Sequence, residues 1–128
     1  MPHFVVEYTD NLTDPRIADL LTAVNQVLVA QDGIFPTGGI RSRAVRVTEY
    51  AIADQAADYA FVHAKLLIGA GRSLEEKKRV GDDVFEAIKR HFETAFAARP
   101  LAISLDLEEV GELGSWKHNN LHSRFKKL

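Results

Sequence analysis

Pro2-His3-Phe4-Val5-Val6-Glu7-Tyr8 is the stretch that decides the fold. Phe4, Val6 and Tyr8 alternate with His3, Val5 and Glu7, the period-two pattern of a strand. This strand starts almost at the amino terminus, and a terminus tied into a sheet is held rather than frayed. Initiator methionine is commonly trimmed when a small residue such as proline follows. Trimmed here, Pro2 carries a free secondary amine on a ring that fixes φ. An α-amino group titrates near ~7.7–8.0, and burial or nearby cations lower that value. Such an amine can serve as a general base near neutral pH. The plainer alternative is that many chains begin Met-Pro with no chemical purpose.

Downstream of this strand, Thr9-Asp10-Asn11 reads as a turn. Thr13 or Asp14 is placed to cap a helix, with Pro15 in its first turn. Ile17, Leu20, Leu21, Val24 and Leu28 form one apolar stripe running to about Ala30. The loop Ile34-Phe35-Pro36-Thr37-Gly38-Gly39 carries two apolar residues that are either a plug under the sheet or a wall of a ligand site. Ile40 to about Tyr50 reads as a second strand, with Arg41, Arg43, Val45 and Val47 on one face. Each arginine can fork onto a carboxylate; a solvated face or an ion pair at a subunit contact is the alternative.

Ala51 to Asp58 is a connection, and Tyr59 to Ile68 is apolar enough for a central strand covered on both faces. His63 lies within it and reads most simply as a satisfied interior histidine. Gly69-Ala70-Gly71-Arg72-Ser73 then turns the chain. Ser73 and Glu76 have capping-box spacing, and Leu74, Lys77, Val80, Val84, Ile88, Phe92 and Phe96 carry the helix to about Ala98. Arg72 thereby sits at a helix N-terminus, where free N–H groups favour anions, or is a surface arginine on a plain turn. Leu101, Ile103, Leu105 and Leu107 alternate with polar residues in a last, half-buried strand. Ser115 to His122 leads into a tail with one helical turn, and Lys126 and Lys127 read as a solvated end. His118 and His122 have the i, i+4 spacing of a metal pair, but without a third ligand nearby no metal site is expected.

At 128 residues the chain is expected to be one domain spanning 1–128. A 27% share of charged residues and a net charge of −2 give no reason to expect nucleic acid or an anionic membrane as partner. The lack of cysteine excludes disulfides and thiolate catalysis. No apolar run approaches a membrane span and no signal peptide is evident, so a cytoplasmic protein is the default. The element order is a duplicated βαβ unit in the α/β (α+β) class. It implies a four-stranded mixed sheet with two helices on one face. The other face is expected to be apolar and uncovered, and so to drive oligomerisation.

Pro2 opening a repeated βαβ resembles the tautomerase superfamily, and more narrowly the 5-carboxymethyl-2-hydroxymuconate Δ-isomerases. The blocks that carry the resemblance are Pro2-His3-Phe4 with Glu7, Gly33-Ile34-Phe35-Pro36, Gly39-Ile40-Arg41-Ser42-Arg43, Asp58 to His63, Ile68 to Glu75, and Asn119-Asn120 with His122. They span nearly the whole chain, which departs at Trp116 and His118, where relatives are expected to carry phenylalanine and glutamine. The resemblance implies a cofactor-free isomerase, a keto-enol tautomerase of aromatic catabolism, that moves a proton 1,3 on an unsaturated 2-hydroxy dicarboxylate. It implies Pro2 as base and Arg41 and Arg72 as carboxylate ligands; beside them Phe35 and Pro36 are expected to line the substrate site and exclude water. It also implies a homotrimer. The alternatives are a tautomerase or hydratase for another 2-oxo acid, and a non-catalytic trimeric module that binds anions.

Overall fold

The alternation of Pro2–Tyr8 becomes β1 (His3–Thr9), an inner strand of the sheet in a computed structural model that describes residues 1–125. The expectation for Lys126 and Lys127 lies outside those residues. The other strands are β2 (Arg41–Val47), β3 (Ala60–Ile68) and β4 (Leu101–Glu109). Their order across the sheet is β2-β1-β3-β4, with β1 parallel to β2, antiparallel to β3, and β3 parallel to β4. Each parallel pair is one βαβ unit, and the two units join back to back through β1 and β3.

Two helices cover one face. Helix α1 (Ile17–Val29) buries Leu20, Val24 and Leu28, and α2 (Leu74–His91) buries Val80, Val84 and Ile88. These stripes meet Phe4 and Val6 of β1 and Val62, Ala64 and Leu66 of β3, all fully buried. Gln31, also buried, ties the helices together. Its Nε2 donates to Val27 O and to Asp83 on α2, and its Oε1 accepts from Arg79. The Ser73–Glu76 capping box forms in both directions, with bonds of 3.1 and 2.9 Å. Ser73→Ala is expected to cost about 1 kcal/mol, read as a lower urea midpoint at unchanged m value.

The start of α1 differs from the expectation. Neither Thr13 nor Asp14 caps it, and Pro15 lies outside the first turn. Asp14 and Arg16 both take positive φ, and Arg16, in the left-handed region, is the residue flanking the helix. A residue before proline is steered away from right-handed helix, and His91, at the end of α2, bonds the Pro15 carbonyl at 2.7 Å. That long-range contact sets the entry. The second helix also stops short of Ala98: it breaks at Phe92, and a short α3 (Glu93–Ala98) follows. Leu74 and Phe96, placed on the buried stripe by spacing, are 78% and 61% exposed. One lies in the first turn and the other beyond the break, so neither reaches the sheet. The tail's helical turn is a 3₁₀ turn over His122–Phe125.

The uncovered sheet face is not the apolar surface expected. Strand alternation sends Glu7, Arg43, His63, Lys65, Asp106 and Glu108 to it, interleaved with Val5, Phe61 and Leu67. Its polar groups pair across strands: the His63 ring with the Asp106 carboxylate at 3.6 Å and Lys65 with Glu108 at 3.8 Å. His63 is therefore satisfied, with Ser104 Oγ 2.6 Å from its Nδ1, but it lies on this open face and not in the interior.

Candidate active site

One corner of the sheet collects the ends of three strands. β1 and β2 begin there and β3, running the other way, ends there. Pro2 is buried at that corner, and its carbonyl accepts from the Arg41 N–H at 3.0 Å. This bond fixes the first peptide unit of β1 against β2, so the amino terminus is held in place.

The tail crosses the same corner. Val110 N–H donates to Ile68 O at 2.9 Å, extending the β3 edge, and the chain then turns at Gly111–Gly114. The 3₁₀ turn at His122–Phe125 packs on a second 3₁₀ turn at Thr37–Gly39. The glycine pair makes that contact possible. A Cβ on Gly38 would stand 2.9 Å from the His122 Cα, and one on Gly39 would stand 3.3 Å from the Met1 Cγ. The pair is needed here for close approach more than for flexibility.

Met1 thus occupies a crevice between two cavities. The smaller, about 290 Å³, is lined by Met1, His3, Arg41, Trp116, Lys117 and Asn119 among others. The larger, about 650 Å³, is lined by Met1, Gly69, Arg72, Val110 and Lys117 among others. Arg41 and Arg72 therefore both stand near the amino terminus, and both act on its charge. Both are half-buried and strapped in place. The Arg41 Nη1 donates to Gly38 O at 2.9 Å, while Arg72 donates to Gly69 O at 2.9 Å and Ile34 O at 2.6 Å. A guanidinium has five N–H donors, so each keeps donors for an anion. Arg72 also lies 4.9 Å above the Phe35 ring centre.

That stacking settles the loop's role. Phe35 is 3% exposed and belongs to the core, where it plugs the sheet and supports Arg72 from beneath. Pro36 is exposed, and neither residue lines the two cavities beside Met1. Phe35 is thus placed as a buttress under Arg72, with Pro36 exposed beside it.

The charged side chains that act on the amino terminus are cations. Burial first, then Lys117, Arg72 and Arg41, hold the amino-terminal ammonium below its ordinary range. The His3 ring is also held below its ordinary value, by burial, then Arg43, Arg41 and the amino terminus. Its Nδ1 is 3.2 Å from Arg43 Nη1. A guanidinium only donates, so Nδ1 accepts, and the ring is neutral with its proton on Nε2. Sequence reasoning gave His3, Lys117 and Asn119 no role in the site, although His3 and Asn119 fall in the blocks that carry the resemblance. His3 had a signal in its place beside Pro2. Lys117 and Asn119 lie on an arm with no periodicity to mark them. The Asn119 side-chain nitrogen is buried with no partner among the described residues.

His118 lines the smaller cavity and His122 packs over Gly39. Among the described residues no cluster of three or more His, Cys, Asp or Glu side chains is placed to hold a metal. A depression of about 510 Å³ between α2 and β4 is lined by Phe85, Glu86, Lys89 and Ile103 among others, far from this corner in the fold. Its Lys89 is already paired with Glu86 at 2.8 Å.

The profile of the 5-carboxymethyl-2-hydroxymuconate isomerase family matches residues 2–125. An Escherichia coli protein named 5-carboxymethyl-2-hydroxymuconate Delta-isomerase is 46% identical over 127 residues, covering 98% of this chain and 100% of that protein. The crystal structure of a 5-carboxymethyl-2-hydroxymuconate isomerase from Deinococcus radiodurans R1 is 52% identical, with a TM-score of 0.95, covering 98% of this chain and 95% of that one. A native fused 4-OT, 14% identical with a TM-score of 0.68 over 95% of this chain and 97% of that one, shares the fold.

Proposed function

Because this chain belongs to the 5-carboxymethyl-2-hydroxymuconate isomerase family, we propose that it converts 5-carboxymethyl-2-hydroxymuconate to its 2-oxo-3-ene isomer with Pro2 as the base. The protein is an isomerase. The proposal concerns its substrate, its residues and its working state. One observation carries it: the amino terminus lies in a crevice lined by Arg41 and Arg72, where burial and cations lower the pKa of the Met1 ammonium.

With Met1 removed, the Pro2 nitrogen becomes the amine, one residue (about 3.8 Å of Cα spacing) further in. Neutral Pro2 takes the proton from the hydroxyl on carbon 2. The O–H electrons form the carbonyl, the double bond between carbons 2 and 3 moves to carbons 3 and 4, and the displaced pair reaches carbon 5. Carbon 5 takes a proton from the Pro2 ammonium. Conjugation therefore carries the proton past the 1,3 step expected from the sequence, and every atom balances without an added reagent. Arg41 and Arg72 bind carboxylates and offset the negative charge that spreads along the chain, an effect strengthened where water is scarce. Phe35 keeps the Arg72 plane fixed while this happens.

A cytoplasmic homotrimer is part of this reading. Val5, Phe61 and Leu67, half-buried among paired charges on the uncovered sheet face, suit a subunit contact. Among the described residues no helix is long and apolar enough to cross a membrane.

Ultraviolet assay of the dienol with processed protein tests the reading, and its pH dependence tests the base. A base works when unprotonated, so kcat/KM is high above the amine's pKa and falls as pH drops through it. The burial and cations that lower the Met1 ammonium act on the Pro2 amine in the same way, so the acidic limb is expected below the ordinary ~7.7–8.0. A limb at or above that range contradicts the cationic crevice. Absence of turnover by processed protein contradicts the substrate.

A further inference from the structure

We propose that Lys117 is a third substrate cation, holding the carboxylate that the carboxymethyl branch adds to a muconate skeleton. The identity of that carboxylate rests on the isomerase reading above. A muconate has a carboxylate at each end, and the branch on carbon 5 supplies one more. Two strapped arginines match the first two. The structure offers a partner for the third.

Position is the first reason. Arg41 lines the smaller cavity and Arg72 the larger, whereas Lys117 lines both. It stands over the crevice that Met1 fills, which is the volume a substrate takes once Met1 is gone. The field at Met1 agrees: among the cations acting on its amine, Lys117 has the largest effect. Availability is the second reason. Lys65, Lys77 and Lys89 each have a carboxylate at 3.8, 3.0 and 2.8 Å, and Lys78, which is also unpaired among the described residues, lies on α2 and lines neither cavity. Lys117 has no ion-pair partner among the described residues, although the acid Glu112 borders the larger cavity. Support is the third. The arm that carries Lys117 is pinned on one side by Val110 on Ile68 and on the other by His122 against Gly38. Lys117 is itself exposed, so its stem is free to swing over the crevice.

Chemistry separates the three cations. The guanidinium fork is rigid and suits planar carboxylates next to the reacting carbons. An ammonium is a point charge with rotatable donors on a flexible stem, which suits a carboxylate swinging on a CH₂ group. Lys117 thus selects for the branch, whereas the arginines serve any muconate.

The test compares processed wild type with Lys117→Met, which keeps most of the stem, and with Lys117→Arg, which restores charge. kcat/KM is measured on 5-carboxymethyl-2-hydroxymuconate and on 2-hydroxymuconate, and the ratio of the two is the readout. Any effect of Lys117 on the amine is shared by both substrates and cancels in the ratio. The ratio is expected to fall about tenfold to a hundredfold in Lys117→Met, mostly through KM, and to recover in Lys117→Arg. An unchanged ratio overturns the proposal. Calorimetry with the saturated compounds 2-carboxymethyladipate and adipate reads the same preference without turnover. If wild type prefers the branched compound and Lys117→Met does not, the third-cation site stands even if neither dienol is turned over, a result that would sink the isomerase reading alone. If wild type shows no preference, or Lys117→Met keeps it, the site is overturned.

Discussion

Chain that keeps Met1 loses at least about 10²–10⁴ of the isomerisation rate shown by chain that begins at Pro2. Two independent effects act together. In the unprocessed chain the Pro2 nitrogen is an amide, whose lone pair is delocalised and not basic. Met1 also fills the crevice between Arg41 and Arg72, with its Cγ against Gly39. The remaining Met1 amine is about one residue away from the place of the base. Pro2→Ala separates base from ring. Alanine is small enough for Met1 to be trimmed, so this variant retains an amine at the same chain position, now primary and free to rotate about φ. It is expected to keep measurable activity, reduced by about tenfold to a hundredfold. Mass spectrometry of each preparation reports the N-terminus, and the ultraviolet assay reports the rate. Full activity with Met1 retained contradicts the role of Pro2.

Arg72→Ala comes second in size. Its guanidinium holds two carbonyls, Gly69 O and Ile34 O, and stacks on Phe35. Removal takes away a carboxylate ligand and a charge that offsets the dienolate, for a loss of about 10²–10³ in kcat/KM. It also leaves two carbonyls without their donor, costing about 1–3 kcal/mol in stability. The acidic limb of the pH profile separates catalysis from structure. Arg72 is one of the cations that lower the amine's pKa, so Arg72→Ala shifts the limb upward. A merely unstable variant loses amplitude without moving its limb. Arg72→Lys keeps charge near the amine, so its limb stays close to wild type. A compact ammonium cannot span both carbonyls and a substrate carboxylate, so its kcat/KM stays low.

How much of this was readable from the sequence depends on how local each feature is. The period of Pro2–Tyr8, the stripe of Leu20, Val24 and Leu28, and the Ser73–Glu76 box are each decided within a turn or two, and they form as read. Arg72 was legible as a candidate because it precedes a helix, whereas Arg41 shared a strand face with Arg43 and was chosen by the family resemblance. What brings them to one terminus is the pairing of β1 with β2 in parallel and with β3 antiparallel, which periodicity does not specify. The left-handed Arg16 was hidden because the cause lies in His91, far along the chain. The polar character of the open sheet face was hidden for a different reason. Hydrophobic strands say which residues face the helices, but the opposite face is judged by pairing, and the partners of His63 and Lys65 come from β4. The arm carrying Lys117 has neither period nor propensity. It is placed by contacts with Gly38 and Gly39, more than seventy-five positions earlier in the chain.

The base itself can be watched. Processed protein labelled with ¹⁵N-proline is titrated by NMR, and the amino-terminal nitrogen of Pro2 is followed against pH beside kcat/KM measured in the same buffers. The predicted result is one pKa in both curves, below the ordinary α-amino range of ~7.7–8.0, with activity tracking the neutral amine. An amine that titrates at or above that range, or a rate whose acidic limb is independent of the Pro2 titration, contradicts Pro2 as the general base.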